Sequence, residues 1–190
     1  MQPLTVGVAA VEGALLVALW VAYRRGNTAA VVNTVGAISL TLVPPLLAVT
    51  VGAAGPELRG LAFWIAVAGF LHALGMLGRY DSVWWWDHLT HTLSAALAAA
   101  LLYAGLLVVA PAIAVAGTVL SIVVLGVLWE VGELFAREVG ERYDIEPVLV
   151  HYGWRDTALD LLFDVVGAGV VVALDVRLFR PVVEAAVGAV

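Results

Sequence analysis

Long apolar runs, each cut by a short polar break, dominate this chain and predict about six helices. The first run covers residues 4–23 and stops at Arg24-Arg25-Gly26-Asn27. The second covers 28–51, and Pro44-Pro45 inside it removes two backbone donors, so a kink or break is expected there. Gly55-Pro56-Glu57 closes that segment, and a third helix is expected over 60–77, ending at Gly78-Arg79. The fourth begins near Trp86 and reaches Ala110. The run around Pro111 is too long for one span of about 20 residues, so a tight connection is placed at this proline. The fifth helix then continues to Ala136. Residues 137–153 read as a polar loop, and a sixth helix runs over 156–178, closed by Arg180-Pro181.

Composition places these runs in a bilayer. The chain is 63% hydrophobic and 13% charged, and its mean hydropathy is +1.04. An ordinary soluble domain is roughly half apolar and about a quarter charged. The expected fold is therefore all-α, a polytopic helix bundle forming one integral membrane domain over residues 1–190. Met1-Gln2-Pro3-Leu4 lacks the basic start of a signal peptide, so the first run is expected to be a retained span. A cell-membrane location with the lipid bilayer as partner follows from this reading.

Charge and cysteine usage narrow the chemistry. Cysteine is absent, which excludes disulfides and thiolate metal sites. All nine basic residues are arginine, and the net charge is −6. No basic stripe exists for nucleic acid. Arg24, Arg25, Arg79, Arg137, Arg142 and Arg155 fall at one end of the bundle; Arg59, Arg177 and Arg180 fall at the other. That bias predicts the first end to be cytoplasmic, with both termini outside. On either sign, the start of helix four, the end of helix five and the start of helix six share one face.

The acids and imidazoles concentrate on that face. Asp87 and His91 are spaced i, i+4, and His88 and His91 are spaced i, i+3, which puts each pair on one side of its helix. Glu130 and Glu133 repeat the i, i+3 spacing close to the expected carboxyl end of the fifth helix, which disfavours anions. Asp156, Asp160 and Asp164 recur every four residues and form one stripe. Asp156 is an ordinary first-turn acid. The others need an account, because an Asp at the centre of a membrane helix costs about 2.5–3.5 kcal/mol on insertion scales. Salt bridges are the plainer account, with Arg137 opposite Glu133. A shared divalent metal is the sharper one, held by Asp87, His88, His91, Glu130, Glu133, Asp160 and Asp164.

Other polar residues read more plainly. Trp84-Trp85-Trp86 suits an interfacial aromatic belt. His72 lies at a similar depth and is either a packing residue or a supporting partner. Asp81 and His151 read as solvated loop residues, and Glu12 has no obvious partner. Gly167 and Gly169 are expected to let a neighbouring helix approach closely.

At these residues the chain resembles the YjdF-like family of uncharacterised inner-membrane proteins, and more distantly VanZ-like proteins. Asp87 and His91 resemble the family's Asp-x-x-x-His. Glu130-Val-Gly-Glu133 after Trp129 resembles its Glu-x-x-Glu. Asp156, Asp160 and Gly167-Ala168 are similar to its final Asp-x-x-x-Asp and Gly-Ala helix. Asp164 stands where the VanZ-like pattern has Asn. The resemblance spans residues 80–172 and implies a shared polar site with no assigned reaction.

Two active readings follow. In the first, the acids and histidines bind a divalent ion, and Glu130 is the general base for hydrolysis of a lipid or other interfacial substrate. Ser82, Ser94 and Ser121 sit in no nucleophile elbow. In the second, the same carboxylates carry protons or cations in a small transporter, with Pro44-Pro45 as a broken helix. Self-association into a homo-oligomer would offset its small size. A structural ion-pair network is the third reading, weakened by the excess of acids over arginines.

Overall fold

The computed structural model describes residues 3–52, 55–145 and 147–188. Among them the chain is helical, with no strand. Helix α1 spans Pro3–Arg24, α2 Thr28–Leu40, α3 Val43–Val51 and α4 Pro56–Leu74. A π-helical turn, Gly75–Arg79, leads into the short α5, Tyr80–Ser82. Helix α6 spans Trp86–Val109, α7 Ala114–Tyr143, α8 Trp154–Ala173 and α9 Arg180–Gly188. Five stretches are long and apolar enough to cross a bilayer: Pro3–Arg24, Thr28–Thr50, Pro56–Ser82, Trp86–Val109 and Pro111–Tyr143. Helix α8 has the length of a sixth, but Arg155, Asp156, Asp160 and Asp164 dilute its apolar character.

Several expected boundaries move, each for a physical reason. The break in the second span falls before the prolines, which sit in the first turn of α3, where their missing donors are not needed. The third span starts at Pro56 rather than residue 60, because Pro56 occupies the first helical position. It also outlasts residue 77 through the π turn, where Gly78 has φ 112°, a backbone state that favours glycine. Helix α7 runs past Ala136 to Tyr143; Arg137 donates to Glu141 at 2.8 Å, an i, i+4 pair that supports helix where a loop was expected. Glu130 and Glu133 therefore lie well inside α7. Helix α8 ends at Ala173 instead of 178, before Asp175 turns left-handed at φ 50°. Arg180-Pro181 then opens α9 rather than simply closing the preceding helix.

Small residues set the packing. Helix α1 packs on α2 and α4, whereas α6 packs on α8 and α7. Ala95, Ala96, Ala99 and Ala100 of α6 are buried, which lets backbones approach. A Cβ at Gly167 would collide with the Thr92 carbonyl and the Ala96 amide. Gly169, by contrast, faces open space, so only one of the two expected glycine contacts is made. Phe179 is fully buried and meets Trp64 with centroids 6.1 Å apart, seating the α8–α9 turn on α4.

Hydrogen bonds gather three connections at one end. Arg25 and Asn27 donate to the Leu77 and Met76 carbonyls at 3.3 and 3.1 Å. Asn33 donates to the Val148 carbonyl. Tyr152 donates to Asp81 at 2.8 Å. The α7–α8 connection is thereby drawn over the same end as the start of α6.

Candidate functional site

The N-terminal halves of α6 and α8 face one another below that end. Asp87, His88 and His91 come from α6, and Asp160 and Asp164 from α8. Asp160 is only 1% exposed, and Asp164 and His88 are also buried. His91 Nδ1 lies 3.1 Å from Asp164 Oδ1, and His88 Nδ1 lies 3.3 Å from Asp160 Oδ1. With the carboxylates ionised, each Nδ1–H donates, and each ring keeps its Nε2 lone pair. His91 Nε2 lies 3.8 Å from Asp87 Oδ1, too far for a hydrogen bond. One ligand atom each from Asp87, His91 and Asp160 fall within 4.8 Å of one another. His88 and Asp164 stand outside this triad as orienting neighbours, and the His88 ring is stacked on Phe163 at 4.6 Å.

Helix α7 and the following loop build a second group. Glu130 and Glu133 are both buried. Trp129 Nε1 donates to Glu133 Oε1 at 2.9 Å. Arg137 is turned to Glu141, so the expected Arg137–Glu133 bridge is not formed. Instead His151 enters from the loop, and ligand atoms of Glu130, Glu133 and His151 fall within 4.8 Å of one another. The two groups adjoin: Glu130 is within electrostatic range of Asp87 and Asp160. Gly126 makes room on α7, since a Cβ there would lie 2.5 Å from Asp164 Oδ2.

The expected single site is thus two adjoining triads, one between α6 and α8 and the other between α7 and the loop that follows it. His88 and His91 bind different aspartates rather than presenting as a pair. Asp156 is half-buried at the start of α8 and belongs to neither group. His151 is the clear correction: expected to be solvated, it has a side chain only 7% exposed. Asp81 is exposed as expected, but it is held by Tyr152. The Tyr152 phenol is pushed up by burial and by its hydrogen bond to Asp81, so it stays protonated. The one available signal for His151 was connection length: a loop this short between neighbouring antiparallel helices must lie across their ends.

A neutral chain of partners runs from α2 to the backbone of α6 beside the first triad. His72 Nε2 meets Asn33 Oδ1 at 3.0 Å, and His72 Nδ1 meets the Tyr80 hydroxyl at 2.6 Å. Tyr80 reaches Thr90 at 3.3 Å, and Thr90 donates to the Asp87 carbonyl at 2.8 Å. His72 is separated from Asp87 by three hydrogen bonds through Tyr80 and Thr90, and Asn33, Tyr80 and Thr90 are partners that periodicity did not single out. Trp86 donates to the Leu71 carbonyl at 3.0 Å, so one member of the tryptophan triplet joins helices. Trp84 and Trp85 are exposed, as a belt requires.

Five carboxylates and three imidazoles meet here, and no arginine pairs with any of them among the described residues. Oxygen and nitrogen donors without sulfur suit Zn, Mn, Fe, Mg or Ca. No curated protein and no solved structure matches the chain. Residues 7–181 match the family described as "Predicted membrane protein (DUF2238)". That description carries neither the YjdF-like nor the VanZ-like name. With nearly the whole chain covered, this protein belongs to that family of membrane proteins.

Proposed function

We propose that the protein is a membrane-embedded, metal-dependent hydrolase acting on an ester or phosphoester at the bilayer surface. The observation that carries this reading is the Asp87–His91–Asp160 triad, backed by the Asp164 carboxylate on the far nitrogen of His91. A carboxylate on the second ring nitrogen is the usual way a metal-binding histidine is oriented and made more basic. Ligands around an ion at about 2.1 Å sit about 3.0 Å apart when adjacent and about 4.2 Å apart when opposite, and the His91–Asp87 spacing of 3.8 Å lies between these values. A bound divalent ion lowers the pKa of its water towards about 7.

The chain's own residues supply the rest. Glu130, on the facing helix, takes the proton as water oxygen adds to the carbonyl carbon or phosphorus. The bond to the leaving oxygen breaks, and that proton returns to the leaving oxygen. The tryptophans at Trp84 and Trp85 hold this end at the headgroup level, which favours a lipid or lipid-like substrate. The carrier reading loses its main support: Pro44 and Pro45 line a groove with Thr5, Val8 and Arg59, away from the acids.

The test uses the purified full chain in mixed vesicles, with lipid products followed by mass spectrometry. A metal-dependent product is expected, reduced at least about 100-fold in Glu130→Gln, as for loss of a general base. Equal product formation by wild type and Glu130→Gln would remove this role.

A further inference from the structure

The geometry points to a second cation site, formed by Glu130, Glu133 and His151, which makes this a two-ion centre. The carboxylates alone would be only a pair of buried acids. His151 is the independent observation. Its Nδ1 is buried and has no hydrogen-bond partner among the described residues, although it faces Glu133 Oε2 at 4.0 Å. A buried ring nitrogen without a partner is costly, and native structures rarely leave one. Around an ion with ligands at about 2.1 Å, neighbouring ligands are about 3.0 Å apart and opposite ones about 4.2 Å apart. The observed separation lies between these limits and outside hydrogen-bond range.

The surrounding groups leave this position to a cation. Glu133 Oε1 already accepts from Trp129, which fixes the carboxylate and leaves Oε2 towards His151. The nearest arginine along the helix, Arg137, is paired with Glu141 on the exposed side. One nitrogen and two carboxylate oxygens favour a transition-metal dication such as Zn²⁺ or Mn²⁺. Glu130 can give one oxygen to this ion and keep the other for the water proton. Its catalytic consequence rests on the hydrolase reading; binding at this site does not.

Stoichiometry separates the two. Full-length protein in detergent, stripped with chelator and dialysed, is titrated with Zn²⁺ by calorimetry. The wild type is expected to bind two equivalents, and His151→Ala and Glu133→Gln one each. His91→Ala is also expected to bind one, at the remaining Glu130–Glu133–His151 site. Two equivalents in His151→Ala, or one equivalent in wild type that His151→Ala leaves unchanged, overturns the second site. Loss of binding only in His151→Ala, with none lost in His91→Ala, instead removes the Asp87–His91–Asp160 centre and leaves this one standing. His151→Asn, checked for an unchanged melting temperature without metal, guards against a loop that has merely come loose; it too is expected to bind one equivalent.

Discussion

The two halves of the bundle solve the problem of polar groups in a bilayer differently. In α1–α5, Thr34 donates to the Ala30 carbonyl at 2.7 Å, and Asn33, His72 and Tyr80 satisfy one another. Those partners are neutral, so no counter-ion is needed. At the site between α6, α7 and α8, carboxylates outnumber imidazoles and no arginine pairs with them among the described residues. Hydrogen bonds between neutral groups satisfy these residues of the first half, whereas the second gathers more acids than imidazoles at one place. The cost of intramembrane ions makes such a surplus a mark of function; in the first half, Glu12 in α1, with no ion pair among the described residues, and Arg59 in α4, whose buried Nε has no hydrogen-bond partner among them, have no physical account.

The largest effect should come from closing the gap that holds the charged half together. Gly167→Val drives a side chain into the α6 backbone at Thr92, and should cost about 3 kcal/mol or more. Gly169→Ala, in open space, should leave the melting temperature unchanged. Equal melting temperatures for the two variants would show that α6 and α8 do not pack this closely.

Next is Asp164→Asn, which removes the carboxylate behind His91 while keeping the shape. Metal affinity should fall about 10–100-fold, the usual effect of losing such an orienting partner. Calorimetry with Zn²⁺ reads this directly, and an unchanged affinity would detach Asp164 from the site. His72→Phe is the matching change in the neutral half. It should lower stability by about 1–3 kcal/mol by stranding Asn33 and Tyr80, with metal affinity kept within a few-fold. A large affinity loss in His72→Phe would erase the contrast between the halves.

The smallest effect lies at the opposite end. Arg177 and Tyr103 donate to Asp175 and hold its carboxyl below the usual range. A depressed value stabilises the fold above the unfolded-state pKa of about 3.9 and is lost as pH falls through the folded value. Asp175→Asn should therefore melt slightly lower than wild type at pH 7, and the difference should shrink below about pH 4. The asparagine also suits the left-handed backbone at this position. The effect is small because the pair is exposed and screened.

Much of this contrast was legible in the sequence. Apolar run length gave the spans, Pro111 gave the α6–α7 turn, and i, i+3 and i, i+4 spacing gathered Asp87, His91, Glu130, Glu133, Asp160 and Asp164. Periodicity failed where structure is not periodic or where a local pair overrides polarity. The Arg137–Glu141 pair carries α7 on through residues that look like loop. Pro181 starts a helix as readily as it ends one. His151 reaches the acids through a loop whose path no repeat encodes. The separation of His88 from His91 depends on which aspartate each ring meets across the α6–α8 interface, and spacing within one helix does not specify that.

The central claim is that the acid-rich half holds a cation. Elemental analysis of full-length protein, purified at neutral pH without chelator, tests it most directly. The account predicts a divalent transition metal at one equivalent or more per chain, reduced in His91→Ala. A well-folded wild type with no bound metal, which takes up none when Zn²⁺ or Mn²⁺ is added, would contradict it.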